Sequence, residues 1–148
     1  MSRIEVAHGA DHRLKQASQT VYKQFLAGRP LLIFCSDLKR LEAFSQYLWG
    51  VNPTAFIPHS PYHYQLSEKE GIPTLIKVAT EIPENILDYF LEDTKPWLLN
   101  LDIACPPFFE VFDKVLEIVS NHPEDKQLAK LRIQHYKQSG HEVRFHQL

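Results

Sequence analysis

The sequence predicts an α/β protein built on a mostly parallel β-sheet. Two observations lead to this fold class. Strand and helix patterns alternate along the chain, and two of the strand segments, residues 31–35 and 97–101, are apolar almost throughout. Strands of that composition lie inside a sheet whose two faces are both covered by helices, because neither face then alternates between core and water.

The first 50 residues predict a strand, a helix, a strand and a helix. Residues 3–6 alternate polar and apolar side chains, and residues 31–35 form a continuous apolar strand. Between them the apolar residues recur at helical spacing until Gly28, a residue type that commonly ends helices. A second helix follows the cap residues 36–37. The apolar residues that form the inner faces of the two helices are Leu14, Ala17, Val21, Phe25, Leu41, Phe44 and Leu48, with Trp49.

The rest of the chain continues this alternation with shorter elements. An Asn121-x-x-Glu124 pattern, typical of a capping box, predicts a last helix that ends at Gly140. No internal repeat or low-complexity tract interrupts the chain, so we expect one domain over residues 1–148. The other predicted elements are strands over residues 54–57, 74–78, 97–101, 115–119 and 143–145, a loop over 58–73, a helix over 83–91 and a helical turn around 108–112.

Composition and charge exclude several classes of protein. Hydrophobic residues make up 44% of the 148-residue chain and charged residues 23%, which excludes disordered and fibrous proteins. The 16 basic and 18 acidic residues give a net charge of −2, unlike a protein that wraps duplex DNA. No apolar run approaches the roughly 18 residues that span a bilayer, and the first residues lack the apolar core of a signal peptide. We therefore expect a soluble, cytoplasmic protein.

The motif search finds no recognisable nucleotide-binding or catalytic loop. The five glycines form neither of the patterns that cradle phosphates, GxGxxG and GxxxxGK[ST], and no GxSxG turn presents a serine. We therefore expect no cofactor. Cys35 and Cys105 are too few and too far apart for a disulfide scaffold or a zinc knuckle, and we expect packed, reduced thiols. A small α/β enzyme that uses Cys35, Asp102 or the loop histidines stays open as an alternative.

Two pairs of histidines raise the question of a metal site. His8 and His12, and likewise His59 and His63, have the spacing that places two imidazoles on one face of a helix. Both pairs, however, fall in predicted loops, and no cysteine or third histidine lies at ligand spacing nearby. We therefore expect no bound metal ion.

Charge is unevenly distributed along the chain. Residues 126–148 carry five basic residues and one acidic residue, a net charge of +4, whereas residues 1–125 carry 11 basic and 17 acidic residues, a net charge of −6. On the last helix, Leu128, Leu131 and His135 have core-facing spacing. A cationic stripe that contains an apolar residue can receive an acidic peptide with a hydrophobic end; an ordinary solvated helix face is the alternative. The residues that share this stripe are Lys126, Lys130, Ile133 and Lys137.

Aromatic residues gather around the end of the second predicted helix. They are Trp49, Phe56, Tyr62 and Tyr64. Aromatic side chains at the ends of elements are enriched in the energetic centres of protein interfaces, and they are also common in hydrophobic cores. For Trp49 considered alone, we favour a place in the core.

A series of short segments occurs along the chain in a characteristic order. The segments are PLLIFCSD (30–37), LW (48–49), FIPH (56–59), GIPTLI (71–76), NLD (100–102), PFF (107–109), EIV (117–119), KQLAK (126–130), Arg132, YK (136–137) and Gly140. None is strongly specific alone. In number and order, from about Leu14 to Val143, they resemble the chi subunit family of bacterial DNA polymerase III, accessory proteins of the clamp-loader complex.

The resemblance implies a Rossmann-like three-layer α/β fold without a phosphate-binding loop, and a non-catalytic role in DNA replication. Chi proteins bridge the clamp-loader complex to the single-stranded DNA-binding protein. One of their surfaces binds the psi subunit or another clamp-loader subunit, and in some bacteria a DNA-repair helicase shares it. The positions of this chain that match this surface are Trp49, Phe56, Ile57, Pro58 and His59.

A second surface of chi proteins binds the acidic carboxyl-terminal tail of the single-stranded DNA-binding protein, a short run of aspartates that ends in phenylalanine. Lys126, Lys130 and Gln134 match positions on this surface, and the cationic stripe adds Ile133 and Lys137. Where family members often carry arginine, tyrosine and lysine, this chain has Lys130, Ile133 and Gln134. We expect a weak, salt-sensitive contact to which Lys137 contributes, with neither sequence-specific nucleic-acid binding nor a membrane partner.

Overall fold

The computed structural model describes residues 2–50, 76–90 and 95–148, apart from the side chain of Trp49. Within these ranges the chain forms one six-stranded sheet. The strands are β1 (Arg3–Ala10), β2 (Leu31–Phe34), β3 (Ile76–Ala79), β4 (Trp97–Asn100), β5 (Lys114–Ser120) and β6 (Glu142–Gln147). The helices are α1 (Arg13–Leu26), α2 (Leu38–Gly50) and α3 (Pro123–Gln138), with short 3-10 helices at Ile86–Tyr89 and Phe109–Val111.

The six strands run parallel in the order β3-β2-β4-β5-β1-β6. β1 and β6 therefore lie side by side, although they come from opposite ends of the described chain. This arrangement confirms the predicted α/β fold class with its parallel sheet. It also confirms that the last strand, predicted over residues 143–145, forms an edge of the sheet.

Two hydrophobic cores lie on the two faces of the sheet. In β2, Leu31 and Ile33 belong to the first core and Leu32 and Phe34 to the second, because side chains alternate along a strand. The first core is covered by α1 and α2, and the second by α3 and the two 3-10 helices. The result is the three-layer architecture that was expected. Among the described residues, no helix combines the length and the apolarity that crossing a bilayer requires.

Two of the local predictions differ from the structure. The helix expected over residues 83–91 is a 3-10 helix of four residues, Ile86–Tyr89. The expected capping box is wrong: α3 begins after His122, which makes no side-chain cap, because Pro123 occupies the first helical position. Asp125 instead accepts hydrogen bonds from the backbone nitrogen and hydroxyl of Ser120. The predicted strand over residues 54–57 and the loop over 58–73 lie outside the described residues.

The end of α3 agrees with the prediction. The helix ends at Gln138, and Gly140 follows with a φ of 85°. This left-handed conformation suits glycine, and it allows the chain to turn back toward β6 beside β1. Gly140 therefore sets the direction in which the edge strand leaves the last helix.

Candidate functional site

The last helix is held to the sheet by a buried ion pair. Glu117 of β5 and Arg132 of α3 are 1% and 2% exposed, and the Arg132 Nε donates to both carboxylate oxygens of Glu117 at 3.1 and 3.2 Å. The hydroxyl of Tyr136, one helical turn along, donates to the same carboxylate at 2.7 Å. Burial is the main cause that raises the pKa of Tyr136, and the neighbouring carboxylate adds to it. At these two positions the inner face of α3 is therefore polar and is hydrogen-bonded to the sheet.

The same carboxylate is reached from two further elements. Asn100 of β4 donates to Glu117 at 2.8 Å, and the guanidinium of Arg13 from α1 lies 3.6 Å from it. Arg13 also donates to four backbone carbonyls, those of Asn100, Leu101, Asp102 and Ile118. Burial lowers the pKa of Arg13, and the charge of Glu117 acts in the opposite direction. This network joins both helix layers through the sheet, and it uses Arg132 entirely inside the protein.

The outer face of α3 carries three exposed lysines, Lys126, Lys130 and Lys137, which we call the lysine row. They share one side of the helix because four residues make slightly more than one helical turn. Ile133 lies among them and is half-buried against the second core, and Gln134 beside it is exposed. All five residues predicted for the tail-binding site thus lie on one continuous side of α3.

Apolar surface borders the lysine row on the side of β6. The ammonium of Lys137 lies 5.4 Å from the ring centroid of Phe145, which is 51% exposed. Val143, two residues earlier on the same face of β6, packs against the second core together with Ile133. An exposed aromatic ring beside a row of ammonium groups combines the two chemistries that an acidic peptide with an aromatic end needs.

The expected inner face of α3 is wrong. Leu128, Leu131 and His135 were predicted to face the core, but Leu131 is 63% exposed and His135 is exposed as well. The buried residues of the helix are Ala129, Arg132 and Tyr136. The reason is the carboxylate of Glu117 below the helix, which needs hydrogen-bond donors rather than leucines above it.

The net charge that residues 126–148 present at the surface is smaller than their composition indicates. Arg132 is neutralised by buried Glu117, and Arg144 lies 3.2 Å from Glu142. The exposed cations of α3 without a described carboxylate partner are therefore those of the lysine row. A partner would meet three ammonium groups rather than the five basic side chains of residues 126–148.

The other predicted surface is only partly within the structure. Trp49 is the second-last residue of α2, and its side chain is outside the described part of the molecule. Phe56, Ile57, Pro58 and His59 lie outside the described residues as well. Their assignment to a partner surface stays a prediction.

A cleft of about 510 Å³ lies at the carboxyl ends of the strands, where nucleotide-binding α/β proteins hold phosphates. Here backbone N–H groups near the starts of α2 and α3 donate to the protein's own carboxylates. Asp37 accepts from the backbone nitrogen of Lys39 at the start of α2, and Asp102 accepts from that of Ser36. Asp125 bonds to Ser120 just before α3. These contacts fit the missing phosphate-binding motifs, since a phosphate would have to displace like charges.

The residues considered for an enzyme active site lie in environments that are typical of structural side chains. Cys35 is fully buried, and burial raises its pKa to about 11, so its thiol is poorly suited to act as a nucleophile at neutral pH. Burial likewise raises the pKa of Cys105 to about 11, and its thiol donates to the carbonyl of Arg132. Both cysteines are free. Asp102 is bonded to two backbone nitrogens, those of Ser36 and Ile103.

The histidines do not form a metal site in the part of the chain that the structure describes. No group of three histidine, cysteine or acidic side chains there could hold an ion. His8 was expected in a loop but lies in β1, where its ring contacts Phe145. His12 accepts the backbone N–H of Lys15 through Nδ1 at the start of α1. His59 and His63 are outside the described residues.

These features define a class of protein. It is a parallel α/β protein in which backbone N–H groups at the carboxyl ends of the strands are bonded to the protein's own carboxylates, and its last helix presents a row of lysines. Comparison with known proteins is more specific. Residues 1–144 match the family described as DNA polymerase III chi subunit, HolC. The chain is 27% identical over 136 residues to the DNA polymerase III subunit chi of Pseudomonas aeruginosa, covering 92% of this chain and 87% of that protein. It belongs to the DNA polymerase III chi subunit family, accessory subunits in DNA replication.

Proposed function

We propose that this protein is a non-catalytic bridge in DNA replication. One surface holds the clamp-loader complex through psi or an equivalent subunit, and the other holds the acidic tail of the single-stranded DNA-binding protein. The observation that carries the proposal is the lysine row of α3 beside the exposed ring of Phe145. Membership of the chi family supports it. We propose one domain over residues 1–148 that acts in the cytoplasm.

The chemistry of the lysine row matches that of the tail. Aspartates of the tail would pair with the ammonium groups of Lys126, Lys130 and Lys137, and Gln134 would donate its amide N–H groups. The terminal phenylalanine ring would lie against Ile133 and Phe145. Each exposed ion pair contributes about 0–1 kcal/mol, so we expect an affinity on the order of micromolar. The affinity falls with salt because the ion pairs are exposed.

The residues at this site predict a contact weaker than that of a site with arginine and tyrosine. Lys130 offers a point charge where arginine would form a bidentate pair with a carboxylate. Ile133 offers no ring or hydroxyl, and Gln134 carries no charge. Lys137 restores one cation, and its position against Phe145 brings that cation next to apolar surface.

The clamp-loader surface is proposed on α2 and the residues after it. Trp49, Phe56, Ile57, Pro58 and His59 would form it, with an aromatic centre typical of interface energetics. Its partner is psi, or another clamp-loader subunit where psi is absent, and in some bacteria a repair helicase. This assignment rests on the match of residue types to the family.

A peptide titration tests the tail site. A fluorescent peptide with a run of aspartates and a terminal phenylalanine is titrated with the protein at low salt, and binding is followed by anisotropy. Lys130→Glu is expected to weaken binding by about tenfold, since an attraction becomes a repulsion. Lys15→Glu is the matched control, because Lys15 is an exposed lysine on α1, across the sheet from α3.

Two outcomes would contradict the proposal. The first is an absence of peptide binding to the unmodified protein at low salt. The second is an equal loss of affinity in Lys130→Glu and Lys15→Glu, which would indicate that overall charge rather than the lysine row attracts the peptide. Labelled single-stranded DNA serves as a further probe; tight binding with a steep salt dependence would favour direct nucleic-acid binding instead.

A further inference from the structure

A stack of three side chains lies at the amino end of the sheet, on the face covered by α1. The guanidinium carbon of Arg29 lies 4.2 Å from the ring centroid of Trp97, and the ammonium of Lys114 lies 4.4 Å from it. Trp97 and Lys114 are the first residues of the neighbouring strands β4 and β5. We call this group the Trp97 stack. It shares no residue with the lysine row.

The backbone fixes the stack in place. Arg29 donates its backbone N–H to the carbonyl of Gln24 at the end of α1, and Trp97 donates its own to the carbonyl of Pro30. Leu31 pairs with Trp97 across β2 and β4. The backbone positions of Arg29 and Trp97 are therefore set by a helix end and by sheet register.

Neither cation of the stack has an acidic partner in the described part of the protein. No carboxylate there lies within 4.0 Å of Arg29 or Lys114. Arg3, which pairs with Lys114 across β1 and β5, lies instead 3.6 Å from Glu142. Two positive charges thus share one aromatic ring, and a negative group near them would lower their mutual repulsion.

Two buried hydrogen-bond donors of the stack also lack acceptors. Arg29 Nε and Trp97 Nε1 are buried and have no hydrogen-bond partner among the described residues. Each of these atoms can only donate, so each requires an acceptor. The one other buried donor of this kind in the described ranges, on Arg132, lies 3.1 Å from the carboxylate of Glu117. In the described part of the chain, the buried donors that lack both a hydrogen bond and a nearby carboxylate are therefore those of the Trp97 stack.

We propose that the Trp97 stack is a binding site for a small oxyanion, a phosphate or a carboxylate group. An oxyanion accepts from both unpaired N–H groups and supplies the negative charge that the two cations lack. The group is small because the donors are buried. Lys114 also lines an open groove of about 580 Å³ beside α1, with Lys23 and Gln24 on its helical side, so the stack adjoins this groove through Lys114.

Nuclear magnetic resonance of the indole N–H groups tests this site in the full chain. The protein contains two tryptophans, so two indole signals are expected, and Trp97→Phe assigns them. Titration with inorganic phosphate should move the Trp97 signal along a saturating curve and leave the Trp49 signal in place. Acetate in a second arm distinguishes a carboxylate ligand from a phosphate, and chloride at equal ionic strength reports the effect of salt alone.

Variants of the stack make the result specific. Arg29→Gln is expected to weaken phosphate binding by about tenfold, because it removes a charge-assisted hydrogen bond. Lys114→Gln reports the second cation, should Arg29→Gln fail to fold. Lys23→Gln, at the groove but outside the stack, should retain at least most of the affinity. A Trp97 signal that responds to phosphate and acetate no more than to chloride would overturn the proposal, as would an unchanged affinity in both stack variants.

Discussion

Lys130 and Arg132 lie two residues apart on α3 and have different surroundings. Lys130 is exposed in the lysine row, whereas Arg132 is 2% exposed and bonded to Glu117. The difference comes from helical geometry, because two residues correspond to about 200° of rotation around the axis. Only Lys130 can reach an external carboxylate. At the residue scale, burial rather than charge therefore decides which cation takes part in binding.

Burial of the two thiols predicts a specific dependence of stability on pH. Burial raises the pKa of Cys35 and Cys105 from an ordinary value of 9.0 to about 11. The folded protein therefore holds these protons more tightly than the unfolded chain does. Below about pH 9 the thiols are protonated in both the folded and the unfolded state, so their ionisation does not affect the free energy of unfolding. As pH rises from about 9 to 11 the unfolded thiols ionise first, and that free energy falls.

Urea denaturation at pH 8 and pH 10 measures this effect. Lysines and tyrosines titrate in the same range, so the comparison is made with a Cys35→Ala, Cys105→Ala double variant. We expect the double variant to lose less stability between the two pH values than the unmodified protein loses. An equal loss in both proteins would show that the thiols ionise as freely in the folded state as in the unfolded one.

At the scale of elements, α3 shows which features were open to prediction. Its presence and its end at Gly140 follow from local signals, namely helical spacing and a glycine, whereas the capping box expected at its start is absent. Its inner face did not follow, because the leucines of the helix are partly or well exposed and the buried residues include Arg132 and Tyr136. Which side of a helix is buried depends on what lies beneath it. Here that is Glu117, which the sequence places in an apolar strand without showing its partners.

Removal of the Glu117 charge should loosen the attachment of α3. In Glu117→Gln, the guanidinium of Arg132 stays buried and loses its counter-ion, and Arg13 loses a nearby carboxylate. We expect a loss of about 3–5 kcal/mol in the free energy of unfolding, since breaking a buried ion pair leaves an uncompensated charge. Urea denaturation at pH 7 gives the value.

The control for this change is Glu142→Gln on the edge strand. Glu142 is 55% exposed and pairs with Arg3 and Arg144 at the surface. Such pairs contribute about 0–1 kcal/mol, so the control should cost little. If Glu117→Gln were no more destabilising than Glu142→Gln, the network would not be what holds α3 on the sheet.

At the scale of the whole molecule, the sheet order brings distant segments together. Arg3 pairs with Lys114 on one side and with Glu142 on the other. The parallel sheet and its helices were predictable because buried runs and helical spacing are local properties of the sequence. Strand order was not predictable, since it depends on contacts between segments far apart in the chain. The Trp97 stack depends on that order, because three consecutive strands in the sheet, β2, β4 and β5, bring its members together.

The same order separates the two proposed partner surfaces. α2, which carries Trp49, packs on the first core, and α3, which carries the lysine row, packs on the second, on the opposite face of the sheet. We therefore predict that Trp49→Ala weakens the clamp-loader contact and leaves tail binding within about twofold of normal, since distant sites contribute independently. Lys130→Glu should have the reverse effect.

Both contacts can be measured on the same variants. Tail binding is followed by anisotropy of the labelled peptide, and clamp-loader binding by co-elution with purified psi or, where psi is absent, with the clamp-loader complex. Tyr47→Ala is the matched control, because Tyr47 is an aromatic residue on α2 that is 37% exposed and lies two residues before Trp49. Loss of both binding activities in one folded variant would mean that the two surfaces are coupled through the sheet. A partner bound on α2 would then change the position of α3.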